Sequence, residues 1–460
     1  MNSLTHSIKA ITEHFSDQFD RDTAERDPSE RRIGSELKFP LVNASDGTAA
    51  SQETVDALWD YLQDRGWEAV TDTMVGKVVG ARKPGEQNDT LASCETGYCK
   101  PEFSLAHVAD LHRLADAVRD LRQELQPFCE KHRVRFLGYG IQPVSPPSED
   151  LVMKKGRTSV WDKVFGANRV LAEEDGDDMC LFTVNAASHV HLSVAKEEAV
   201  RAVNVLNGFS GAQLALTAHS SVWKGRVDPK YKCVAEMLWE WWMPETERVG
   251  VPEKRFDDLG DYVETVSGFR PVFVKREGRP VVLTDYDSFA EYFQHDEAVG
   301  SDSKGEEVSL SPCEQDFDVH STCYWYNARL SRYSTVENRT NDQQPPDDLL
   351  VIPALSLGLV SALDEAEEEL SAHDWSKLQA AREVACREAL AGIVEGHPLA
   401  DFASRMLEIA ELGLKRRGLD EQQYLAPLWD RVKRRECPAD EAARIFNEGG
   451  IRALVDARSV

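Results

Sequence analysis

Strand-like alternation fills the first three quarters of the chain, and helical spacing takes over from about residue 355. Strands and helices segregated in this way favour an α+β domain with an antiparallel sheet over a doubly wound parallel one. The two commonest phosphate cradles, GxxxxGKS/T and GxGxxG after a strand, are absent. Segments 33–42, 74–82, 92–105, 134–142, 181–194 and 329–336 read as strands, and 196–214 reads as a helix. The clearest helix carries Val108, Leu111, Leu114, Val118, Leu121 and Leu125 at three- and four-residue intervals, with Ser104 as its expected cap. Residues 1–31 form a helical N-terminal segment, 32–362 the main domain, and 363–460 a helical region expected to pack on it.

Acidic residues outnumber basic ones by 80 to 53, a net charge of −27. That balance argues against nucleic acid or an anionic membrane as the partner, since both need a basic footprint. ATP stays open, because local cations and divalent metals reverse the field within a site. Nine cysteines lie scattered, with no CxxC and no Cys/His cluster at zinc spacing. They read as free thiols of a reducing compartment. The N-terminus lacks signal-peptide features, and the longest apolar run, 349–360, is broken by Pro353 and too short to span a bilayer. A soluble, cytoplasmic protein is expected.

The strand that matters most for chemistry is 32–41, RIGSELKFPL. Residues i and i+2 of a strand share a face, so Glu36 and Lys38 point one way while Ile33, Leu37 and Phe39 point the other. Three more segments carry metal-type ligands: Glu95 and Glu102, His189 and His191, and Glu337 beside Arg339. Hard divalent ions take carboxylate oxygens and bridge phosphates, and imidazole is acceptable to Mn²⁺ or Mg²⁺. An arginine beside them can stabilise charge on a transferring phosphoryl group. Alone, each piece is unspecific, since a strand carboxylate is usually solvated and Arg329 and Arg332 would ordinarily ion-pair at the surface. Their company and order carry the signal.

Taken in order, the blocks resemble glutamate–cysteine ligases of the plant and proteobacterial type, within the glutamine-synthetase-like carboxylate–amine ligases. RIGSELKF (32–39) is similar to I-G-x-E-x-E-x-F, and ETGYCKPEFSL (95–105) to EPGGQFELS with one extra residue between the glutamates. FLGYGIQP (136–143) and KGR (155–157) match FLGxGxQP and KGR. FDD (256–258) with Tyr262 and Val263 looks like FDD…YVD, and RLSRYSTVENRTND (329–342) is similar to VRLKxYLEMRGAD. The resemblance implies a curved, mainly antiparallel sheet packed with helices, a catalytic domain over 32–362, and ATP with Mg²⁺ or Mn²⁺ as cofactors. It implies that Glu36, Glu95 and Glu102 hold one metal and that His189 and Glu337 hold a second. Arg339 is then the residue that stabilises the phosphoryl group, and Lys155, Arg157, His191 and Arg329 fall at the nucleotide or its phosphates.

Two departures stand out. Lys38 replaces the second glutamate of E-x-E, where a cation would displace one metal or stand in for part of its charge. After 218–226, Tyr231-Lys-Cys-Val takes the place of an S-x-R, which leaves substrate recognition open. The expected activity is ATP-dependent joining of the glutamate γ-carboxylate to the amine of cysteine through an acyl phosphate. The alternatives are the same chemistry on another amine or acid, a phosphotransferase, or a non-catalytic, regulatory homologue. The helical C-terminal quarter reads as a covering layer or a homodimer contact.

Overall fold

The computed structural model describes residues 3–23, 30–85, 88–156, 158 and 170–460. Its centre is an eight-stranded sheet: β1 (Ile33–Lys38), β2 (Glu68–Asp72), β3 (Lys77–Lys83), β4 (Thr90–Cys94), β5 (Pro101–Val108), β6 (Ala187–Ser193), β7 (Ala328–Ser331) and β8 (Thr335–Asp342). The order is β7-β8-β6-β1-β5-β4-β3-β2, and every neighbouring pair is antiparallel. β1 is an interior strand, bonded to β5 on one edge and β6 on the other. Its alternation is therefore read on both sides. Ile33, Ser35 and Leu37 are buried on the back face with Val190, Leu192 and Val336, and Glu36 and Lys38 share the front.

Helices cover the back. α1 (Leu111–His132) packs on β5, while α2 (Lys196–Gly208), α3 (Ser210–Thr217) and α5 (Val351–Val360) lie against β6, β7 and β8. α4 (Val234–Trp242) stands at the front near β8, and α6 (Leu399–Arg417) forms an outer layer over α3 and α5. The C-terminal helices are tied to this body by directed bonds. Arg431 donates to Leu216 O, Gln344 Oε1 and Asp348 Oδ2, and Val460 N donates to Phe136 O. None of the described helices is long and apolar enough to cross a membrane. All nine cysteines are free thiols, buried except for Cys313.

Several local expectations change. The long helix begins at Leu111 and is capped by Asp110, whose side chain accepts from Arg113 N, while Ser104 sits inside β5. Segment 92–105 is split between β4 and β5, because the residues from Glu95 to Lys100 leave the sheet as a loop. Segment 181–194 opens with the last turn of a 3₁₀ helix, Asp178–Thr183, and only Ala187–Ser193 pairs. Segment 329–336 is a hairpin, turned by Ser334 at φ 54°. In segment 134–142 only Val134–Phe136 is a strand, paired with Leu41–Asn43. The remainder runs against the chain leaving β8. A Cβ on Gly138 would meet Gln344 O at 2.5 Å, and one on Gly140 would meet the Asp342 side chain at 2.6 Å, so only glycine allows this approach.

Candidate active site

Register assembles the site. Across the sheet, Lys38 pairs with Glu102, Glu36 with His189, His191 with Glu337, and Glu337 with Arg329. Directly opposed residues in neighbouring strands bring their side chains together. Five strands thus place their charged residues side by side on the front face. Arg339 lies two residues beyond Glu337 on the same face of β8.

Two centres share Glu36. In the first, Lys38 Nζ lies 3.0 Å from Glu95 Oε2, 3.1 Å from Glu102 Oε2 and 3.8 Å from Glu36 Oε2. The lysine side chain is only 4% exposed. Burial opposes its charge, but Glu102, Glu95 and Glu36 outweigh that and raise its pKa above the ordinary lysine value. Glu102 Oε1 accepts from Ser104 Oγ at 2.9 Å, which aims the other oxygen at the lysine.

In the second centre, His189 Nδ1 donates to Glu36 Oε2 and His191 Nε2 to Glu36 Oε1, each at 3.1 Å. Glu337 Oε1 is 3.7 Å from His189 Nδ1 and 3.9 Å from His191 Nε2. Arg339 Nη1 donates to Glu337 Oε1, and Arg329 Nε to Glu337 Oε2 at 2.7 Å. Burial pushes both carboxyls up. The two histidines nevertheless hold Glu36, and Arg329 and Arg339 hold Glu337, well below the usual carboxylate range. The histidines diverge: burial, with Lys38 and Arg339 nearby, pushes His189 down to about 4. His191 is raised, since its bond to Glu36 and the charge of Glu337 overcome burial.

Glu36, His191 and Glu337 each offer one ligand atom, all within 4.8 Å of one another. Two carboxylates and an imidazole fit Mg²⁺ or Mn²⁺. The first centre does not fit an ion in the same way, because an ammonium already lies among its oxygens.

The remaining expected residues fall into place unevenly. Lys155 lines the pocket beside the site, with its ammonium bonded to Cys94 O. Arg157 lies outside the described residues. Arg329 stands behind Glu337, anchored to Tyr324 O at 2.7 Å, with its charge turned to that carboxylate. His191, expected at the nucleotide, joins the metal-capable group, while His189, expected as a ligand with Glu337, stands beside it bonded to Glu36.

Residues not singled out from the sequence complete the pocket. Lys100, in the loop between Glu95 and Glu102, donates to Asn185 Oδ1 at 2.6 Å, and burial lowers its pKa to about 8. Opposite the charges stands an aromatic wall of Phe182, Trp239, Trp242 and Trp325. Phe182 and Trp239 have centroids 4.0 Å apart, and Trp239 stacks on Trp325 at 5.2 Å. The run Trp239-Glu-Trp-Trp242 held the signal, since residues three apart share a helix face.

A solved glutamate–cysteine ligase from Francisella tularensis, in complex with AMP, superposes with a TM-score of 0.55 at 10% identity, covering 93% of this chain and 87% of that one. The two chains share a fold. The chloroplastic glutamate–cysteine ligase of Brassica juncea is 25% identical over 397 residues, 83% of this chain and 70% of its own. That of Solanum lycopersicum is 24% identical over 423 residues, 90% of this chain and 76% of its own. The profile of glutamate–cysteine ligase family 2 matches residues 32–457, and the chain belongs to that family. It is a carboxylate–amine ligase of the ATP-dependent type.

Proposed function

We propose that the protein joins the γ-carboxylate of glutamate to the amine of cysteine, cleaving ATP to ADP and phosphate. One observation supports this most: a row of acids and cations on one sheet face borders a pocket large enough for small substrates. The nine free thiols support a reducing, cytoplasmic setting.

A carboxylate is a poor electrophile at neutral pH. In the first step an oxygen of the substrate carboxylate attacks the γ-phosphorus, and the bond to the β-phosphate oxygen breaks to release ADP. In the second, the amine attacks the acyl carbon of the resulting acyl phosphate, the C–O bond to phosphate breaks, and the amine's proton is lost. Arg339 faces the pocket and provides fixed positive charge where the phosphoryl group transfers. Arg329 holds Glu337, which in turn fixes Arg339. Lys100, Lys155 and Lys38 line the other side and suit the anionic substrates. Glu36, His191 and Glu337 would hold Mg²⁺ or Mn²⁺, which neutralises a triphosphate when bound.

The aromatic wall and the changed segment at Tyr231–Val234 favour a second reading, in which a larger or more apolar amine replaces cysteine. ADP release, measured with glutamate and a panel of amines together with product mass, tests both. The ligase reading predicts release that requires an acid–amine pair and a product equal to their sum less one water. Release indifferent to added substrates would sink it, and a preference for a non-cysteine amine would select the second reading.

A further inference from the structure

Lys38 departs from the family's pattern at a position where the structure shows what the departure does. We infer that its ammonium is an internal cation occupying the place of one divalent ion, so that this chain's site takes one metal fewer than it would with glutamate at 38. The inference rests on the ligase reading and concerns the cation count of that same site.

The arrangement around Nζ carries it. Oxygens of Glu95, Glu102 and Glu36 surround the ammonium at 3.0, 3.1 and 3.8 Å, and they come from a loop, β5 and β1. An ordinary surface pair joins one acid to one base, whereas this ammonium collects three acids. Its side chain is only 4% exposed, so the ammonium is held among these oxygens and not out in solvent. Neighbouring groups hold the carboxylates in this pose: Ser104 holds Glu102, and His189 and His191 hold Glu36.

Charge gives an independent reason. Changing glutamate to lysine at one position raises the local charge by two, the charge of one divalent cation. The substitution removes a metal ligand and supplies the missing charge in a single step. A divalent ion placed among the same oxygens would stand against the ammonium with no water between them. At the neighbouring centre ligand atoms of Glu36, His191 and Glu337 converge, with the guanidiniums of Arg329 and Arg339 bonded to Glu337, and the retained metal would sit there.

The test counts ions and needs no turnover. Full-length protein, with a non-hydrolysable ATP analogue, is titrated with Mn²⁺, and free Mn²⁺ is read by electron paramagnetic resonance. Native protein, K38E, K38M and K38R are compared after circular dichroism confirms their fold. K38E is expected to bind one more Mn²⁺ per chain than native protein. K38M gains a weaker ion at the vacated carboxylates, and K38R keeps the native count. The inference is overturned if neither K38E nor K38M binds more Mn²⁺ than the native chain. ADP release separates this from failure of the ligase reading: equal counts in a protein that releases ADP overturn the Lys38 inference alone. A shifted count in a protein that never releases ADP leaves that inference standing and removes the ligase reading.

Discussion

Glu36 belongs to two centres that lie side by side on one sheet face and neutralise their acids differently. Around Lys38, three carboxylates gather about one covalently attached ammonium, and burial still pushes Glu102 up to about 7. Around Glu337, two arginines hold a carboxylate whose remaining neighbours are Glu36 and two imidazoles. The first centre has an ammonium among its oxygens, whereas the second, with two guanidiniums on Glu337, keeps a geometry suited to an ion from solution. Asp342 supplies the contrast for both. It is buried at the end of β8 and receives bonds from His219 N, Ser220 Oγ and Cys233 Sγ. All three donors are neutral, so burial prevails and pushes its carboxyl up to about 7. Asp342 and Glu102, where burial prevails, therefore stand apart from Glu36 and Glu337, which their partners hold low.

The largest effect should come from Glu337→Gln. It leaves Arg329 and Arg339 facing a neutral amide and weakens the second centre as a metal position. Turnover in the ADP-release assay should fall on the order of 10²–10³-fold, the scale seen when a preorganised transition-state contact is lost. Near-native activity would show that the second centre is structural only.

A matched pair of conservative exchanges probes the two cations. R339K loses the planar fork and should cost about tenfold in kcat, or ~1.4 kcal/mol of transition-state stabilisation. K38R keeps a positive charge among the same acids and should cost less. The reverse ranking would make the first centre the catalytic one.

Asp342→Asn sharpens the contrast through pH. Asp342 titrates at about 7 when folded, against an ordinary value of 3.8, so the folded chain holds a proton that the unfolded chain releases between those limits. Native stability should therefore fall as pH rises through that window, by up to about 1.4 kcal/mol per pH unit. In D342N that contribution disappears. Urea unfolding at pH 5 and pH 7 measures it, and an unchanged slope in the variant would show that Asp342 is ionised in the fold.

The smallest effect is expected for Trp239→Ala, which touches neither centre. Loss of its stacking should weaken the amine's binding by about 1 kcal/mol, seen as a raised KM with little change in kcat. A large fall in kcat would mean that the wall positions the reacting carboxylate as well.

The architecture was legible because its signals are local. Period-two alternation in β1 separates Glu36 and Lys38 from Ile33 and Leu37 without reference to any other strand. The antiparallel sheet followed from strands massed ahead of helices, and the family from ordered blocks beginning at residue 32. Boundaries were harder wherever a loop interrupts a pattern. The residues from Glu95 to Lys100 read as part of one strand yet leave the sheet, and the turn at Ser334 divides what reads as another. Lys100 and the tryptophans were passed over for a related reason. Their meaning depends on which wall of the pocket they face, and spacing alone does not give that.

The sequence by itself determined the inventory and its partition: which acids, bases and imidazoles share the front of the sheet, and which apolar residues lie behind. Only the tertiary structure decided the pairing. Charge interactions depend on separation and on shared burial, and both are set by strand register and by the loop that carries Glu95 back to β1. From the chain alone Lys38 is a cation where a glutamate was expected. In the fold it is the centre of three carboxylates.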